Sequence, residues 1–233
     1  MLISLHTPKA GGSSFKKLLE ENYKHQLLSD YNDKPINKTV DERQLEVLTF
    51  RKKLRLYKKY IYEYKNYQCI HGHFLPYKYD YYLKRDNCYF ITWLREPLDR
   101  LASHYYYWYR SYNKNKSSYL HRKVVEEKWS FKKFAFSEKM KNFYSQFLWN
   151  FPIENFDFIG VFEFYQSDME YFHKTYFNKT SINIPVVNTN KKNKGSYLNE
   201  IDYISELKKQ HAEDYKLYDY AIKLRNHRIN DIT

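Results

Sequence analysis

Met1-Leu-Ile-Ser-Leu-His-Thr-Pro-Lys-Ala-Gly-Gly-Ser-Ser-Phe15 opens the chain with an apolar run, a glycine turn and the start of an amphipathic segment. Leu2, Ile3 and Leu5 suit a buried parallel strand, which Pro8 ends. Gly11 and Gly12 admit backbone angles closed to other residues, so the chain turns there. Ser13 or Ser14 is expected to cap a helix whose apolar side begins with Phe15, Leu18 and Leu19. Such a helix start offers unpaired N–H groups and a positive dipole end to the turn, and Lys9 adds a full charge beside them. The expected ligand is therefore an anion, cradled by Lys9, Ala10, Gly11, Gly12, Ser13 and Ser14. In a Walker A loop the lysine follows the last glycine; here it precedes the pair, so a nucleoside triphosphate is not the default ligand. The competing reading is a plain strand-turn-helix junction with a solvated lysine.

The rest of the chain narrows the class of ligand. Its 233 residues suit one domain, spanning 1–233. Lys and Arg number 40 against 27 Asp and Glu, a formal +13 that favours polyanions: nucleic acid, anionic glycan, membrane surface or phosphorylated nucleotide. Cys69 and Cys88 lie in apolar runs without metal spacing and read as buried free thiols. With no signal peptide and no apolar run long enough to span a bilayer, the chain as given is expected to be soluble and cytoplasmic. No metal site is expected.

Two further stretches carry chemistry. In Tyr67-Gln-Cys-Ile-His-Gly-His-Phe-Leu75 a short strand ends at Gly72, and alternation sets His71 and His73 on one side of it. They are either strand-end hydrogen-bonding groups or an imidazole base with its neighbour, since an imidazole near its ordinary pKa takes a proton from a hydroxyl at neutral pH. In Cys88-Tyr-Phe-Ile-Thr-Trp-Leu-Arg-Glu-Pro-Leu-Asp-Arg-Leu-Ala-Ser-His-Tyr-Tyr-Tyr-Trp108 a hydrophobic strand leads to Arg95, and Pro97 stands at the first helical position. Leu98, Leu101, Ala102 and Tyr105 make the inward face, leaving Arg95 near the helix start and Ser103 about two turns on. A guanidinium and a hydroxyl so placed can converge on one phosphate at the carboxyl edge of a sheet. Arg100 either touches the same ligand or pairs with Glu96 along the helix.

The order Pro8-Lys-x-Gly-x-Ser-x-Phe15 resembles the 5′-phosphosulfate loop of sulfotransferases that use 3′-phosphoadenosine 5′-phosphosulfate (PAPS). The frame Arg95-x-Pro-x-x-Arg-x-x-Ser103 resembles their 3′-phosphate-binding element, and His71-Gly-His73 resembles a segment of heparan sulfate 2-O-sulfotransferases in which the second histidine is the base. The resemblance implies an α/β P-loop-like fold with a mostly parallel sheet flanked by helices, PAPS as co-substrate and adenosine 3′,5′-bisphosphate (PAP) as product. It casts His73 as base, His71 as its neighbour and Lys9 as a catalytic cation, and implies a saccharide acceptor, acidic polysaccharides included. Neither nucleic acid nor a metal is expected. A nucleotide kinase is the alternative enzyme, and a basic nucleic-acid-binding protein the non-enzymatic one.

The remaining segments are read more coarsely. Ser29 to Val40 is expected as a loop, and from Asp41 a helix whose stripe is Val47, Phe50, Leu54, Tyr57, Ile61 and Tyr64. Its other side, Arg51, Lys52, Arg55, Lys58 and Lys59, is either solvated or a rail for an acidic acceptor. Helical patterns run to Trp149, with Trp129, Phe131, Phe134, Phe143 and Phe147 as core. Phe156 to Glu163 reads as a strand with Glu163 structural, Ser167 to Phe177 as a helix, and Ile204, Leu207, His211, Tyr215, Tyr218 and Ile222 as one docking helix with His211 inside. Between them Ile182 to Lys194 reads as a loop, and the family's habit of closing a basic loop over the nucleotide makes Lys191, Lys192 and Lys194 candidate phosphate contacts.

Overall fold

A computed structural model describes residues 1–33, 38–56, 64, 66–177 and 202–230. The expected contacts of Lys191, Lys192 and Lys194, and the positions of Tyr57, Lys58, Lys59 and Ile61, lie outside the described residues.

Five parallel strands form the centre: β1 (Leu2–Leu5), β2 (Leu27–Asp30), β3 (Cys69–Gly72), β4 (Tyr89–Leu94) and β5 (Phe158–Val161), in the order β2-β3-β1-β4-β5. The fold is α/β, a parallel sheet flanked by helices, as the sequence led one to expect. Strands covered on both faces carry continuous apolar runs, and β1, β3 and β5 are buried at every residue. Period-two alternation divides their side chains. Ile3, Leu5, Ile70, Phe90 and Ile159 join Phe143, Phe147 and Phe151 on one face, while Leu2, Cys69, Ile91, Trp93 and Phe158 meet Phe15, Leu18, Leu19 and Phe172 on the other.

The strand order matters most for function. Because β1 lies between β3 and β4, Leu5 pairs with Gly72 on one side and with Thr92 on the other. The segments leaving these three strands therefore emerge together at one edge, where ligands of open α/β sheets bind.

Helices α1 (Gly12–Tyr23), α2 (Val40–Leu56) and α3 (Pro97–Ser111) follow β1, β2 and β4. Short helices α4 (Tyr119–Glu126), α5 (Phe131–Ala135) and α6 (Phe143–Phe147) occupy the expected helical region and bury Phe134, Phe143 and Phe147. Among the described residues no helix is long and apolar enough to cross a membrane. Both cysteines are free thiols, Cys69 buried and Cys88 half-buried.

Several expectations change. The loop expected from Ser29 begins inside β2, an edge strand whose Leu-Leu-Ser-Asp sequence lacks a long apolar run. The strand expected from Phe156 starts at Phe158, because the Asp157 carboxylate accepts the Phe90 N–H at 2.7 Å and Phe162 already opens a tight turn. The helix expected from Ser167 begins at Tyr165 as α7 (Tyr165–Phe172) and widens into a π turn over His173–Phe177. The single docking helix is two, α8 (Ile204–Gln210) and α9 (Ala212–Asn230), broken at His211. That buried imidazole accepts the Asn142 N–H at 3.3 Å and donates to the Ala135 carbonyl at 3.2 Å, so it is the satisfied core histidine the stripe suggested. Arg51 is not a solvated rail residue: its guanidinium donates to the Tyr77 carbonyl at 2.7 Å, pairs with Asp80 and covers the Tyr77 ring.

Candidate active site

The turn after β1 is built from two residues in the left-handed region, Lys9 at φ 70° and Gly11 at φ 89°. Gly11, and not a serine, is the N-cap of α1; Ser13 and Ser14 lie inside the first turn, so the capping expectation is corrected. A tight turn with a left-handed N-cap needs no side-chain cap, and it leaves no room for one: a Cβ on Gly11 would stand 2.9 Å from the Phe162 ring. Phe15 N–H is bonded back to the Gly11 carbonyl at 3.4 Å, and an α-helix in general offers the N–H groups of its first turn no intrahelical acceptor. Ala10 is not among the cradle donors, since its N–H turns back to the Thr7 carbonyl at 3.3 Å and its methyl is fully buried.

Three cations gather at this mouth. Lys9 lies with its amino group 3.9 Å from the centre of the Tyr107 ring on α3. Burial first, then the charges of Arg110 and Arg95, pull its pKa down to about 8. Arg95 follows β4 with its guanidinium 4.7 Å from the Phe162 ring, and its Nε is buried without a hydrogen-bond partner among the described residues. The backbone there is pinned by Tyr144, whose hydroxyl accepts the Arg95 N–H at 3.0 Å and donates to the Arg95 carbonyl at 2.7 Å. Two arginine charges that depress the Lys9 amine, together with an orphaned guanidinium nitrogen, describe a site that an anion would complete. Ser103, half-buried on α3, lies on the same helical stripe as Tyr107 and Arg110, at steps of four and three.

Arg100 does not make the expected pair with Glu96 among the described residues. The residue is 1% exposed, and its guanidinium sits 4.3 Å from the Phe143 ring and meets His104 Nδ1 at 3.5 Å. Glu96 instead caps α3, accepting the Asp99 N–H at 2.7 Å, and accepts the Tyr215 hydroxyl. Glu163 accepts the Glu96 N–H and the Tyr218 hydroxyl, both at 3.0 Å, tying the start of α3 to α9 in a structural role.

The imidazoles stand at the end of β3. His71 is buried within the strand, its Nδ1 2.8 Å from Ser4 Oγ, and burial drives its pKa to about 3. That placement makes it part of the sheet and removes it from the mouth. His73, half-buried just beyond the strand, donates from Nδ1 to the His6 carbonyl at 2.6 Å. This bond fixes the proton on Nδ1 and leaves the Nε2 lone pair as the basic site. Burial is the main cause that brings the His73 pKa to about 4; the His6 carbonyl opposes it and the Arg43 charge adds to it. The His73 ring is thus neutral at pH 7.

Sequence reasoning passed over His6, Tyr31, Arg43, Tyr107 and Arg110. For Tyr107 and Arg110 the signal was the stripe begun by Ser103; for His6 it was a polar side chain at the mouth of β1. Arg43 is 3% exposed on α2, faces the Phe147 ring at 4.8 Å, and keeps Nε and one terminal nitrogen buried without partners among the described residues. Burial first lowers its pKa to about 10, so it remains charged at neutral pH.

A family model described as a sulfotransferase domain matches residues 2–151. A solved sulfotransferase from Alicyclobacillus acidocaldarius is similar at 13% sequence identity and a TM-score of 0.45, over 94% of each chain. No curated protein matches the chain.

Proposed function

This chain belongs to the sulfotransferase family, and from that premise we propose that it transfers a sulfuryl group from PAPS to a hydroxyl of a saccharide acceptor, with His73 as the general base. The observation that carries the reading is the meeting, at the carboxyl ends of β1, β3 and β4, of Lys9, Arg95 and a neutral imidazole whose Nε2 lone pair is available. PAPS supplies an activated sulfuryl group whose bond to the phosphate oxygen is already weak.

The residues present fit that donor. The N–H groups of Gly12, Ser13 and Ser14, the dipole of α1 and Lys9 would hold the phosphosulfate end, and Arg95 with Ser103 the 3′-phosphate. His73 Nε2 removes the proton of the acceptor hydroxyl as its oxygen bonds to sulfur in line, and the bond from sulfur to the bridging oxygen breaks, releasing PAP with the electron pair. Lys9 stabilises the charge that builds on that oxygen. Anions bound beside the imidazole raise its pKa, so it grows more basic as the site fills.

For the acceptor, the His71-Gly-His73 resemblance supports a saccharide and Arg43 supports an anionic one. A buried guanidinium whose charge is felt at His73, with two unpartnered nitrogens, suits a uronate carboxylate next to the attacked hydroxyl. The nucleotide kinase and the nucleic-acid-binding protein are not favoured by the family match. The test is transfer of radiolabelled sulfate from PAPS to polyuronates and to neutral glucans. Polyuronates are expected to be labelled, and Arg43→Gln to lose that labelling by about 10- to 100-fold with unchanged PAP affinity. Equal labelling of neutral glucans by both proteins would remove the acidic acceptor.

A further inference from the structure

His6 touches His73, the end of β3 and the start of α1, although neither the cradle nor the base position is assigned to it. Its N–H donates to the Gly72 carbonyl at 2.8 Å, which continues the β1–β3 ladder one residue past the strands. Its carbonyl accepts His73 Nδ1–H at 2.6 Å, the bond that fixes the tautomer of the base. Its ring lies 4.5 Å from that of His73 and 5.1 Å, nearly parallel, from that of His71. On the other side the ring meets the first residue of α1 so closely that a Cβ on Gly12 would stand 1.9 Å from Cδ2 and 2.0 Å from Nε2. Gly12 is thus glycine to admit an imidazole.

The ring orientation is set from outside. His6 Nδ1 is 2.8 Å from the Tyr31 hydroxyl. Burial holds the Tyr31 phenol above its usual range, so the hydroxyl keeps its proton and can donate it to Nδ1. The imidazole hydrogen is then on Nε2, at the ring edge that faces Gly12 and the helix start. Burial first, then the neighbouring His73, His71, Lys16 and Lys9, keep the ring neutral. A neutral N–H donor at the end of an anion-binding helix adds to the cradle without adding a proton that could protonate the base.

We infer that His6 is a positioning residue of the sulfuryl transfer: it wedges the base His73 against the phosphosulfate cradle at a fixed separation, fixes the His73 tautomer through its carbonyl, and presents Nε2–H to the anion held at the start of α1. The inference rests on the reading of His73 as base. A wedge of this kind acts on the distance between attacking oxygen and sulfur, to which rate is far more sensitive than nucleotide affinity is. Removal of the ring leaves the carbonyl but frees the His73 ring to tilt into the space.

The test measures PAPS hydrolysis, with water standing in for the acceptor hydroxyl, and PAP affinity by calorimetry. His6→Ala is expected to lower turnover by about 10²-fold with PAP affinity within about threefold. His6→Gln, whose amide N–H reaches the place of Nε2–H, is expected to recover at least about tenfold of it. Turnover of His6→Ala within about threefold of wild type overturns the inference, as does equal loss in rate and affinity. His73→Ala separates the two levels: if it keeps full turnover the base assignment itself has failed, whereas a dead His73→Ala beside an active His6→Ala refutes only the role of His6.

Nitrogen-15 spectra of the wild-type histidines need no variant to fold. They are expected to show His6 protonated at Nε2 and His73 at Nδ1, with the His6 Nε2 signal shifting when PAP is added. A His6 ring protonated at Nδ1, or a signal indifferent to PAP, overturns the inference.

Discussion

Replacing Arg95 by alanine asks whether the cation cluster reads the 3′-phosphate. Arg95 is half-buried against Phe162, and among the described residues its Nε has no partner and its charge no counterion, so it has lost part of its hydration without compensation. A phosphate arriving there would accept up to two charge-assisted bonds, each worth about 1.5 to 3 kcal/mol when desolvated. Partial exposure discounts this, leaving ~2 to 4 kcal/mol, or a rise in Kd of about 30- to 700-fold. Calorimetry with PAP and with adenosine 5′-monophosphate, which lacks only the 3′-phosphate, isolates that group. Arg95→Ala should weaken PAP by the stated factor and the monophosphate by less than about threefold. A second readout is built into the site: Arg95 is one of the charges that depress Lys9, so the Lys9 pKa should rise above about 8 in the variant. Equal weakening of both nucleotides, or no weakening, would refute the placement of the 3′-phosphate.

Nucleotide affinity should also depend on pH through Lys9. With its pKa near 8 in the free protein, the amine loses its charge as pH rises through 8, and PAP affinity should fall there, well below the pH of about 10.5 at which an ordinary lysine would act. A bound phosphate raises that pKa, so binding between pH 8 and 10 should take up a proton and its heat should vary with buffer ionisation enthalpy; a flat profile to pH 9.5 would contradict this. Gly12→Ala drives a methyl into the His6 ring at 1.9 Å. The ring must move, costing ~1 to 3 kcal/mol in urea unfolding, and turnover should fall by a larger factor than PAP affinity; wild-type stability and turnover would show that the contact is slack.

Much of this was legible in the sequence because the relevant signals are local. Leu2 to Leu5, Cys69 to Gly72 and Tyr89 to Leu94 are apolar runs followed by turn chemistry, and a parallel sheet with buried strands is what such runs make. Lys9, Arg95 and His73 were found because each lies just past a strand, and the strand order then delivered them to one edge. The misses are mostly non-local. The cap is the local exception: the glycine pair marked the turn, but serine is the stronger N-cap by its side chain, and Gly11 took the position in the left-handed region instead. Arg100 and Glu96 are four apart and read as a pair, but the core formed by Phe143 and Tyr144 drew the arginine inward while Tyr215 took the glutamate. His6 and Arg43 depend on contacts across β1–β3 and α2–α6, which spacing along the chain does not encode.

In the proposed mechanism His73 accepts the proton in sulfuryl transfer from PAPS. This role is tested most directly by following labelled sulfate from PAPS to a polyuronate with wild-type protein and with His73→Ala, PAP affinity being measured on both. The wild type should transfer label without added nucleoside triphosphate, and His73→Ala should lose about 10²- to 10⁴-fold of that rate while PAP affinity stays within about threefold. Transfer by His73→Ala at the wild-type rate would contradict the claim.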